Sequence, residues 1–179
     1  EDAVLAIWHL IRQGLPAHLW LIGRVTDRSY ARHLKCLIAE RRLQHHVTWL
    51  GHCEQPLRYV AGADVVLVCS RAEVLGRATI EAMRAAKPVI GARSEGTAEL
   101  IQDGQTGLLY PPGNAEALAV RIRELHGNRD RARVLGNAAQ QWATTQFTEA
   151  AFANAVLHVL RHAGITALSA AGSTPSHRS

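Results

Sequence analysis

The residues best suited to chemistry are two glutamates, Glu73 and Glu81, on either side of a glycine-containing turn. An apolar run over 65–69 ends just before Ser70, and a helical pattern begins near Gly76. α/β proteins bind anions where a strand, a loop and a helix N-terminus follow one another, because the first N–H groups of a helix have no acceptor within it. Ionised carboxylates bind sugar hydroxyls instead. The pattern therefore favours a ligand with both groups, a sugar nucleotide.

Each part of such a ligand has a predicted position. The diphosphate would lie on the helix N-terminus, Glu81 would bind the ribose, and Glu73 would bind the second sugar. In the plainer alternative, Glu73 is merely exposed, while Arg77 and Glu81 form a surface ion pair at spacing i, i+4. The spacing leaves that alternative open, since two glutamates are a weak signal.

Helical and strand patterns alternate along the chain and predict the frame that holds this turn. Apolar residues at helical spacing predict an amphipathic helix over 1–13, and short apolar runs that end at glycine predict strands. The predicted strands cover 18–22, 47–50, 65–69, 89–92 and 108–110; the predicted helices cover 1–13, 34–41, 56–62, 76–86, 98–101, 114–125, 131–142 and 148–163. Loops are predicted at 24–27 and 94–97. Such alternation indicates a parallel sheet with right-handed crossovers, so the fold class is α/β.

Side-chain patterns also predict which parts of these elements are covered. The strand over 18–22 should be buried, and the continuous apolar run over 65–69 suits a strand with helices on both faces. Small residues at helical spacing predict a stripe that presses the helix after Gly76 onto the sheet. The stripe consists of Ala78, Ala82, Ala85 and Ala86.

The composition limits the class of protein. With 179 residues, 47% apolar and 20% charged, the chain suits one α/β domain, and no apolar run approaches the roughly 18 residues of a membrane-spanning helix. The expected location is therefore the cytoplasm. A net charge of +5 favours anionic partners. Three cysteines without close spacing and ten scattered histidines predict neither disulfides nor a metal site.

A longer series of motifs resembles one enzyme family. The series consists of Ser70-Arg-Ala-Glu73, Gly76, Ile80-Glu-Ala-Met83, Pro88-Val-Ile90, Gly96-Thr-Ala-Glu99, Asp103-Gly-Gln-Thr-Gly107-Leu-Leu and Pro111-Pro-Gly-Asn-Ala-Glu-Ala-Leu118. In this order it resembles the C-terminal, donor-binding domain of retaining GT-B glycosyltransferases of the group 1, glycogen-synthase-like kind. The resemblance covers residues 1 to about 163 and is far more specific than two glutamates alone.

The resemblance implies a Rossmann-like three-layer α/β/α domain, one half of a GT-B enzyme that transfers a glycosyl group with retention of configuration. It implies a nucleoside-diphosphate sugar as donor, with no metal and no further cofactor. Glu73 matches the family's catalytic glutamate, and Glu81 matches the glutamate that binds the ribose. The other predicted donor-binding residues are Leu75, Gly76, Arg77, Ala78, Thr79 and Gly96, together with Gly23 and Arg24. The Gly23-Arg24 loop lies where the family approaches the nucleotide, but it replaces the family's usual turn of glycine, an acidic residue and glycine.

The sequence also departs from the family pattern. Val74-Leu75 stands where the family has glycine and an aromatic residue, which changes the predicted wall of the sugar site. The family's basic pair, which neutralises the leaving diphosphate, precedes a helix like that over 1–13. We therefore expect a donor-binding domain over 1–163 that is truncated at its N-terminus and inactive by itself, followed by a disordered tail over 164–179.

The implied partners are a nucleotide-sugar donor and a carbohydrate or lipid-linked acceptor, the latter bound through an N-terminal domain. A lipid-linked acceptor would bring peripheral association with the inner face of the membrane. Two alternatives keep the fold: a non-catalytic sugar-nucleotide-binding module and an epimerase. A third is a nucleic-acid-binding domain that uses the arginines over 121–133 and Arg161. No recognition motif or interleaved aromatic residues accompany them, so no nucleic acid is expected as a partner.

Overall fold

Helices and strands alternate throughout the computed structural model, which describes residues 1–71, 76–148 and 158. The described elements are α1 (Asp2–Arg12), β1 (Leu19–Ile22), α2 (Arg28–Glu40), β2 (Val47–Gly51), α3 (Pro56–Gly62), β3 (Val66–Val68), α4 (Arg77–Arg84), β4 (Val89–Ala92), α5 (Glu95–Leu100), β5 (Leu108–Tyr110), α6 (Ala115–Gly127) and α7 (Arg129–Gln146). The chain divides into two compact units, residues 1–143 and 144–179. The strands and the candidate site belong to the first unit.

Every strand pairing in the described residues is parallel, which confirms the predicted fold class. β1 pairs with β2, where Leu19 lies opposite Val47. β4 lies between β3 and β5 and pairs with both of them. The strands therefore form two parallel sheets, with orders β1-β2 and β3-β4-β5, where the sequence predicts one continuous sheet.

One hydrophobic cluster joins the two sheets. It contains Leu19 and Val47 from the first sheet and Ile90 and Leu108 from the second. Helices α1 and α6 pack against each other and contribute their apolar faces to it, with Leu10 of α1 fully buried. The amphipathic pattern predicted for 1–13 therefore supplies the helix that lies over the centre of this core.

Asp27, Asn114 and Asn128 cap the described helices α2, α6 and α7; the Asn128 side chain accepts a 2.9 Å hydrogen bond from the N–H of Arg131. Asp27 precedes α2, and its carboxylate accepts hydrogen bonds from the backbone N–H groups of Ser29 (2.8 Å) and Tyr30 (3.1 Å). These bonds, led by one from the Ser29 hydroxyl, lower the pKa of Asp27. Asn114 caps α6 through a 2.9 Å bond from the N–H of Ala117, which confirms the cap predicted there.

Strand β1 is less covered than its sequence predicts. Leu19 is buried, but Trp20 and Ile22 are 41% and 37% exposed. In β3 only Val68 is fully buried. Both predictions of full burial are wrong for the same reason, since β1 and β3 border a common cavity of about 1970 Å³.

The predicted alanine stripe of α4 is also wrong. Ala78 is exposed, and the helix ends at Arg84, so that Ala86 lies beyond it with a φ of +55°. The buried side chains of α4 are Thr79, Ala82 and Met83. A methionine and a threonine fill more space against the sheet than alanines do, so they form the packing face.

The loop predicted over 94–97 is wrong for three of its four residues, because α5 already begins at Glu95. Ser94 takes the extended conformation of an N-cap residue, and Gly96 is buried inside the helix. Glycine disfavours helix in a sequence pattern, which explains why the helix is predicted three residues too late.

Two predictions lie outside the described residues. The predicted helix over 148–163 is described only at 148 and 158, and the predicted tail over 164–179 is not described. Within the described ranges, the helices are too short or too polar to cross a membrane.

Candidate active site

Three segments of the chain converge at one end of the cavity that β1 and β3 border. The carboxyl ends of parallel strands meet at one edge of a sheet, and the loops after β1 and β3 lie there with the start of α4. The residues of these segments that line the cavity are Gly23, Arg24, Ser70, Arg71, Arg77, Ala78 and Glu81. The structure thus brings together five of the predicted donor-binding residues.

Gly76 shapes the N-terminus of α4. Its φ is 61°, in the left-handed region where a side chain is strained, and an added Cβ would collide with the side chain of Leu100. The N–H of Ile80 donates to the Gly76 carbonyl over 3.1 Å, which forms the first bond of the helix. The N–H groups of residues 77–79 therefore have no acceptor within α4, as at the helix N-termini that bind anions in other proteins.

Three predicted donor-binding residues do not line this cavity. Gly76, Thr79 and Gly96 are buried. Thr79 is fully enclosed, and its hydroxyl has no hydrogen-bond partner in the part of the chain that the structure describes. Gly76 and Thr79 can therefore act on a ligand through their backbone groups, whereas Gly96 lies in the first turn of α5.

The side chains in the cavity carry both signs of charge. Arg24 is exposed in the loop after β1, and it forms no ion pair with the described residues. Arg77 and Glu81 lie 3.7 Å apart, so the surface pair of the plainer alternative is present. Their side chains are 81% and 42% exposed, and such a pair contributes roughly 0.3–0.5 kcal/mol, little enough for a ligand to replace it.

The carboxylate of Asp2 contacts several of the segments that form the site. The sequence analysis did not predict this role for Asp2. Its buried carboxylate accepts hydrogen bonds from the Tyr110 hydroxyl (3.0 Å) and the Gly113 N–H (2.8 Å). Arg71 Nη2 lies 3.9 Å from the other oxygen of Asp2. One carboxylate in the first turn of α1 therefore connects the residues after β5 to the residues after β3. Helices commonly carry an acidic residue in their first turn, so the sequence offers no specific signal for this role.

Two further groups at this edge are held in their protonated forms. Burial raises the pKa of the Cys69 thiol. Burial also raises the pKa of Tyr110, and the neighbouring Cys69 and Asp2 raise it further. Both groups are therefore uncharged at neutral pH, and the Tyr110 hydroxyl is available as a donor to Asp2.

Polar contacts also tie together the loops that follow β3 and β4. The Ser94 hydroxyl donates to the Ser70 carbonyl over 3.0 Å. Arg93 pairs with Asp103 at 2.7 Å, and Asp103 also accepts from the N–H of Leu109 at 2.9 Å. These bonds fix the edge of the sheet from which the site residues project.

Glu73 and Leu75 lie outside the described residues, so their predicted roles stay predictions. Across 1–71, 76–148 and 158, no three His, Cys, Asp or Glu side chains are grouped in a way that could hold a metal ion.

The arginines over 121–133 are not a free basic face. Arg121 and Arg131 both contact Glu124, at 3.1 and 2.9 Å. Arg129 pairs with Asp64 and Arg133 with Asp130, while Arg123 donates to Gln13. Because acidic and polar groups of the protein occupy these guanidinium groups, the surface does not favour nucleic acid. Arg161 lies outside the described residues.

Comparison with known proteins gives one family. Residues 2–142 match the family described as glycosyl transferases group 1. N-acetyl-alpha-D-glucosaminyl L-malate synthase of Bacillus anthracis is 30% identical over 147 residues, which is 82% of this chain and 38% of that protein. The GDP-mannose-dependent alpha-(1-6)-phosphatidylinositol monomannoside mannosyltransferase of Mycobacterium tuberculosis is 32% identical over 157 residues, 82% of this chain and 40% of that protein.

Solved structures agree with this result. Anabaena Alr3699/HepE in complex with UDP is 26% identical, with a TM-score of 0.81, over 90% of this chain and 44% of that chain. The chain spans about two-fifths of the length of the relatives named here. The parallel strands, the flanking helices and the family match agree: the chain belongs to the group 1 glycosyltransferases and has the Rossmann-like fold of GT-B enzymes.

Proposed function

We propose that the first compact unit binds the nucleotide-sugar donor of a retaining glycosyltransferase. The observation that carries the proposal is that an open helix N-terminus, exposed arginines and Glu81 share one cavity at the carboxyl ends of parallel strands. Helix N–H groups and guanidinium groups favour a diphosphate, while a carboxylate favours sugar hydroxyls. A nucleoside-diphosphate sugar matches both requirements.

The relatives support this class of ligand. Anabaena Alr3699/HepE has been solved with UDP and with UDP-glucose. The mycobacterial relative is named for its dependence on GDP-mannose. Both are nucleoside diphosphates joined to a hexose, so we propose this class of donor, and binding of free nucleotides distinguishes the base.

In the proposed reaction, the bond between the anomeric carbon and the diphosphate breaks, and the electron pair leaves with the diphosphate. The N–H groups of residues 77–79 and the guanidinium groups of Arg24 and Arg71 stabilise the developing negative charge. Glu73 orients the oxocarbenium-like sugar. The acceptor hydroxyl forms its bond to the anomeric carbon on the face that the diphosphate leaves and gives its proton to the diphosphate, so the configuration is retained. Because groups of the protein balance the charge, the proposal needs no metal and no cofactor besides the donor.

The acceptor belongs to the proposal for the whole enzyme. We propose that an N-terminal domain binds a carbohydrate or lipid-linked acceptor and that this chain alone does not turn over. The expected location is the cytoplasm, at the inner face of the membrane where the acceptor is lipid-linked.

Calorimetry with UDP, GDP and ADP tests donor binding by this chain. We expect saturable binding of at least one nucleotide at both low and moderate salt, because a specific site depends less on salt than general attraction to polyanions does. Glu81→Gln should weaken the preferred ribonucleotide about tenfold through loss of a charged hydrogen bond to the ribose. The variant should also discriminate less between that nucleotide and its 2′-deoxy form.

Glu116→Gln is the matched control, because Glu116 is an exposed glutamate in the first turn of α6, outside the cavity. It should bind as the parent chain does. Binding of none of the three nucleotides, or binding that disappears with salt for all of them, would overturn the proposed donor site.

The role of Glu73 is tested in the intact enzyme. Glu73→Gln keeps the size of the side chain and removes its charge, so we expect at least a hundredfold lower turnover with unchanged affinity for the free nucleotide. Transfer at a nearly normal rate would exclude Glu73 as the residue that orients the reacting sugar.

A further inference from the structure

Most of the positive charge of the chain lies in one segment, residues 24–42. This segment contains six arginine or lysine residues and two acidic ones, so its net charge is +4, against +5 for the whole chain. Helix α2 lies within it. Three exposed cations of α2, Arg28, Arg32 and Lys35, follow one another at spacing i, i+4 and i+7. They therefore form one row on the outer face of the helix, which we call the α2 stripe.

The α2 stripe is not neutralised by the protein. Whereas the arginines of α6 and α7 pair with acidic groups, no ion pair joins a cation of the stripe to the part of the chain that the structure describes. Asp27 precedes Arg28, but its Oδ1 caps the backbone of α2. Like charges at this spacing repel, and a cation in the first turn opposes the helix dipole. A bound anion would remove both costs.

A cleft of about 470 Å³ opens beside the stripe. Its volume falls within the roughly 300–1,000 Å³ of pockets for small ligands. The lining consists of the three cations with Val25, Ala31 and Trp49. Ala31 is buried and Trp49 is half-buried, so apolar groups form the floor, while the exposed cations form the rim. Lys35 Nζ lies 5.9 Å from the centre of the Trp49 ring.

The cleft and the candidate donor site differ in their charged groups. Val25, Ala31 and Trp49 also border the large cavity, but the cations of the α2 stripe line only the cleft. No acidic side chain lines the cleft among the described residues, whereas Glu81 and Asp27 line the cavity. The cleft therefore selects for negative charge without a carboxylate to oppose it.

The three cations indicate which anion fits best. A phosphate monoester carries a charge of about −1.5 to −2 at pH 7 and has three acceptor oxygens, whereas a carboxylate carries a single charge. Guanidinium groups donate paired hydrogen bonds to phosphate oxygens. The apolar floor favours a ligand that also has a face of C–H groups. A sugar or another small polyol has such a face, and its hydroxyls can remain in water.

We propose that the cleft between the α2 stripe and Trp49 is a binding site for a phosphate group carried on a sugar or small polyol. The cations bind the phosphate, and Trp49 and Val25 contact the carbon skeleton. A free sugar phosphate and the phosphoglycerol headgroup of a lipid share this chemistry. The proposal rests on the stripe and the cleft, and it does not depend on the proposed donor site.

Two probes distinguish the two sources of the phosphate. Calorimetry with ribose 5-phosphate tests a free sugar phosphate, and cosedimentation with vesicles of phosphatidylglycerol or phosphatidylcholine tests a lipid headgroup. Both are measured at about 0.15 M salt, where general attraction is screened beyond about 8 Å. Arg32→Gln removes one exposed cation of the stripe. Arg42→Gln is the matched control, because it removes the same charge from the same segment at an exposed position outside the cleft.

We expect Arg32→Gln to weaken the binding of ribose 5-phosphate at least tenfold through loss of charged hydrogen bonds, and Arg42→Gln to leave it nearly unchanged. Ribose 5-phosphate should shift the indole N–H signal of Trp49 in NMR spectra. Inorganic phosphate should bind at least tenfold more weakly, because it has no carbon skeleton to contact the floor. Binding to phosphatidylglycerol but not to phosphatidylcholine vesicles, with the same response to the two variants, would support the lipid headgroup as the source.

Four results would overturn the proposal. The first is the absence of saturable binding of both ribose 5-phosphate and phosphatidylglycerol. The second is equal weakening by Arg32→Gln and Arg42→Gln, which would indicate general attraction to the segment. The third is equal affinity for inorganic phosphate and ribose 5-phosphate. The fourth is loss of ribose 5-phosphate binding in Glu81→Gln, which would place the phosphate in the large cavity instead of the cleft.

Discussion

At the scale of single residues, the candidate site contains side chains that the sequence predicted and side chains that no sequence motif marks. Glu81 and Arg24 were predicted from their spacing and resemblance, and both line the cavity. Asp2 contacts Tyr110, which is 108 positions away in sequence. Such a contact exists only after α1 and β5 have packed, so no local pattern could have indicated it.

Replacement of Tyr110 by phenylalanine tests the contact with Asp2. Tyr110 is 1% exposed, so Tyr110→Phe removes a buried hydroxyl and leaves the Asp2 carboxylate with one donor fewer. We expect the free energy of unfolding at pH 7 to fall by about 1–3 kcal/mol, the range for hydrogen bonds to charged groups. Urea denaturation measures this change.

The pH dependence tests whether folding holds the Tyr110 hydroxyl in its protonated form. Tyr110 and Cys69 have folded-state pKa values above their ordinary values of 10.0 and 9.0. Folding therefore favours their protonated forms; the resulting stability is complete below pH about 9 and is lost as the pH rises above that range. The difference between parent and Tyr110→Phe should shrink at pH 10.5. An equal difference at both pH values would show that folding does not hold the Tyr110 hydroxyl in its protonated form.

At the scale of elements, α4 is held at both ends by different partners. Its first residue follows Gly76, which packs against Leu100 of α5. At its other end, Gln140 of α7 donates to the Arg84 carbonyl over 2.9 Å, and Gly136 of α7 lies against the carbonyl of Ala86. Close approach of α7 to this turn therefore fixes the helix whose N-terminus borders the candidate site.

Gly136→Ala tests this close approach. An added Cβ would collide with the backbone oxygen of Ala86, and overpacking of this kind costs about 1–3 kcal/mol. Alanine favours a helix over glycine by roughly 0.5–1 kcal/mol, so the net effect is destabilising. Thermal unfolding followed by circular dichroism should show a lower melting temperature.

Gly127→Ala is the matched control, because Gly127 also lies in a helix and an added Cβ there meets no atom within 4 Å. It should be neutral or slightly stabilising. Equal melting temperatures for the two variants would show that α7 can move away from the turn at little cost.

The sequence predicted most elements well where a local signal marks their ends. β1, β2 and β4 are apolar runs bounded by glycine or proline, and Asn114 marks the start of α6. The start of α5 and the packing face of α4 were predicted incorrectly. The start of α5 and the packing face of α4 depend on what surrounds Gly96 and Ala78 in three dimensions. The low helix propensity of glycine and the small size of alanine do not reveal these surroundings.

At the scale of the whole molecule, one core supports both sheets. Leu10 of α1 is fully buried in the cluster that contains strands from each sheet. We expect Leu10→Ala to lower the free energy of unfolding by about 2–5 kcal/mol through the cavity that it creates. Chemical denaturation followed by tryptophan fluorescence and by circular dichroism measures the loss with two probes.

Leu57→Ala is the control, since Leu57 of α3 is 53% exposed. It should change stability far less than Leu10→Ala. Both probes should give one transition midpoint for Leu10→Ala, because the two sheets share the core. Separate midpoints would show that the sheets unfold independently and would contradict the single core.

The alternation of helices and strands predicted parallel pairing but not the division into two sheets. Alternation gives the direction of each strand, and it carries no information on which edges become neighbours. Trp20 and Ile22 illustrate this limit of the sequence analysis. An apolar run predicts buried side chains, but they are buried only where a neighbouring element covers them. Exposure of these side chains is a property of the assembled sheets and not of β1 itself.

Labelling of cysteine thiols can report on the end of β3, because Cys69 follows this strand. Cys36 is exposed, whereas Cys69 is partly buried and has a raised pKa. The thiolate is the form that attacks alkylating reagents, so at neutral pH the exposed Cys36 reacts early and the partly buried Cys69 slowly. Cys69 lines the same cavity as Arg71, and a nucleotide bound there would slow its labelling further without affecting Cys36. The chain therefore carries both a reporter of site occupancy and an internal standard for it.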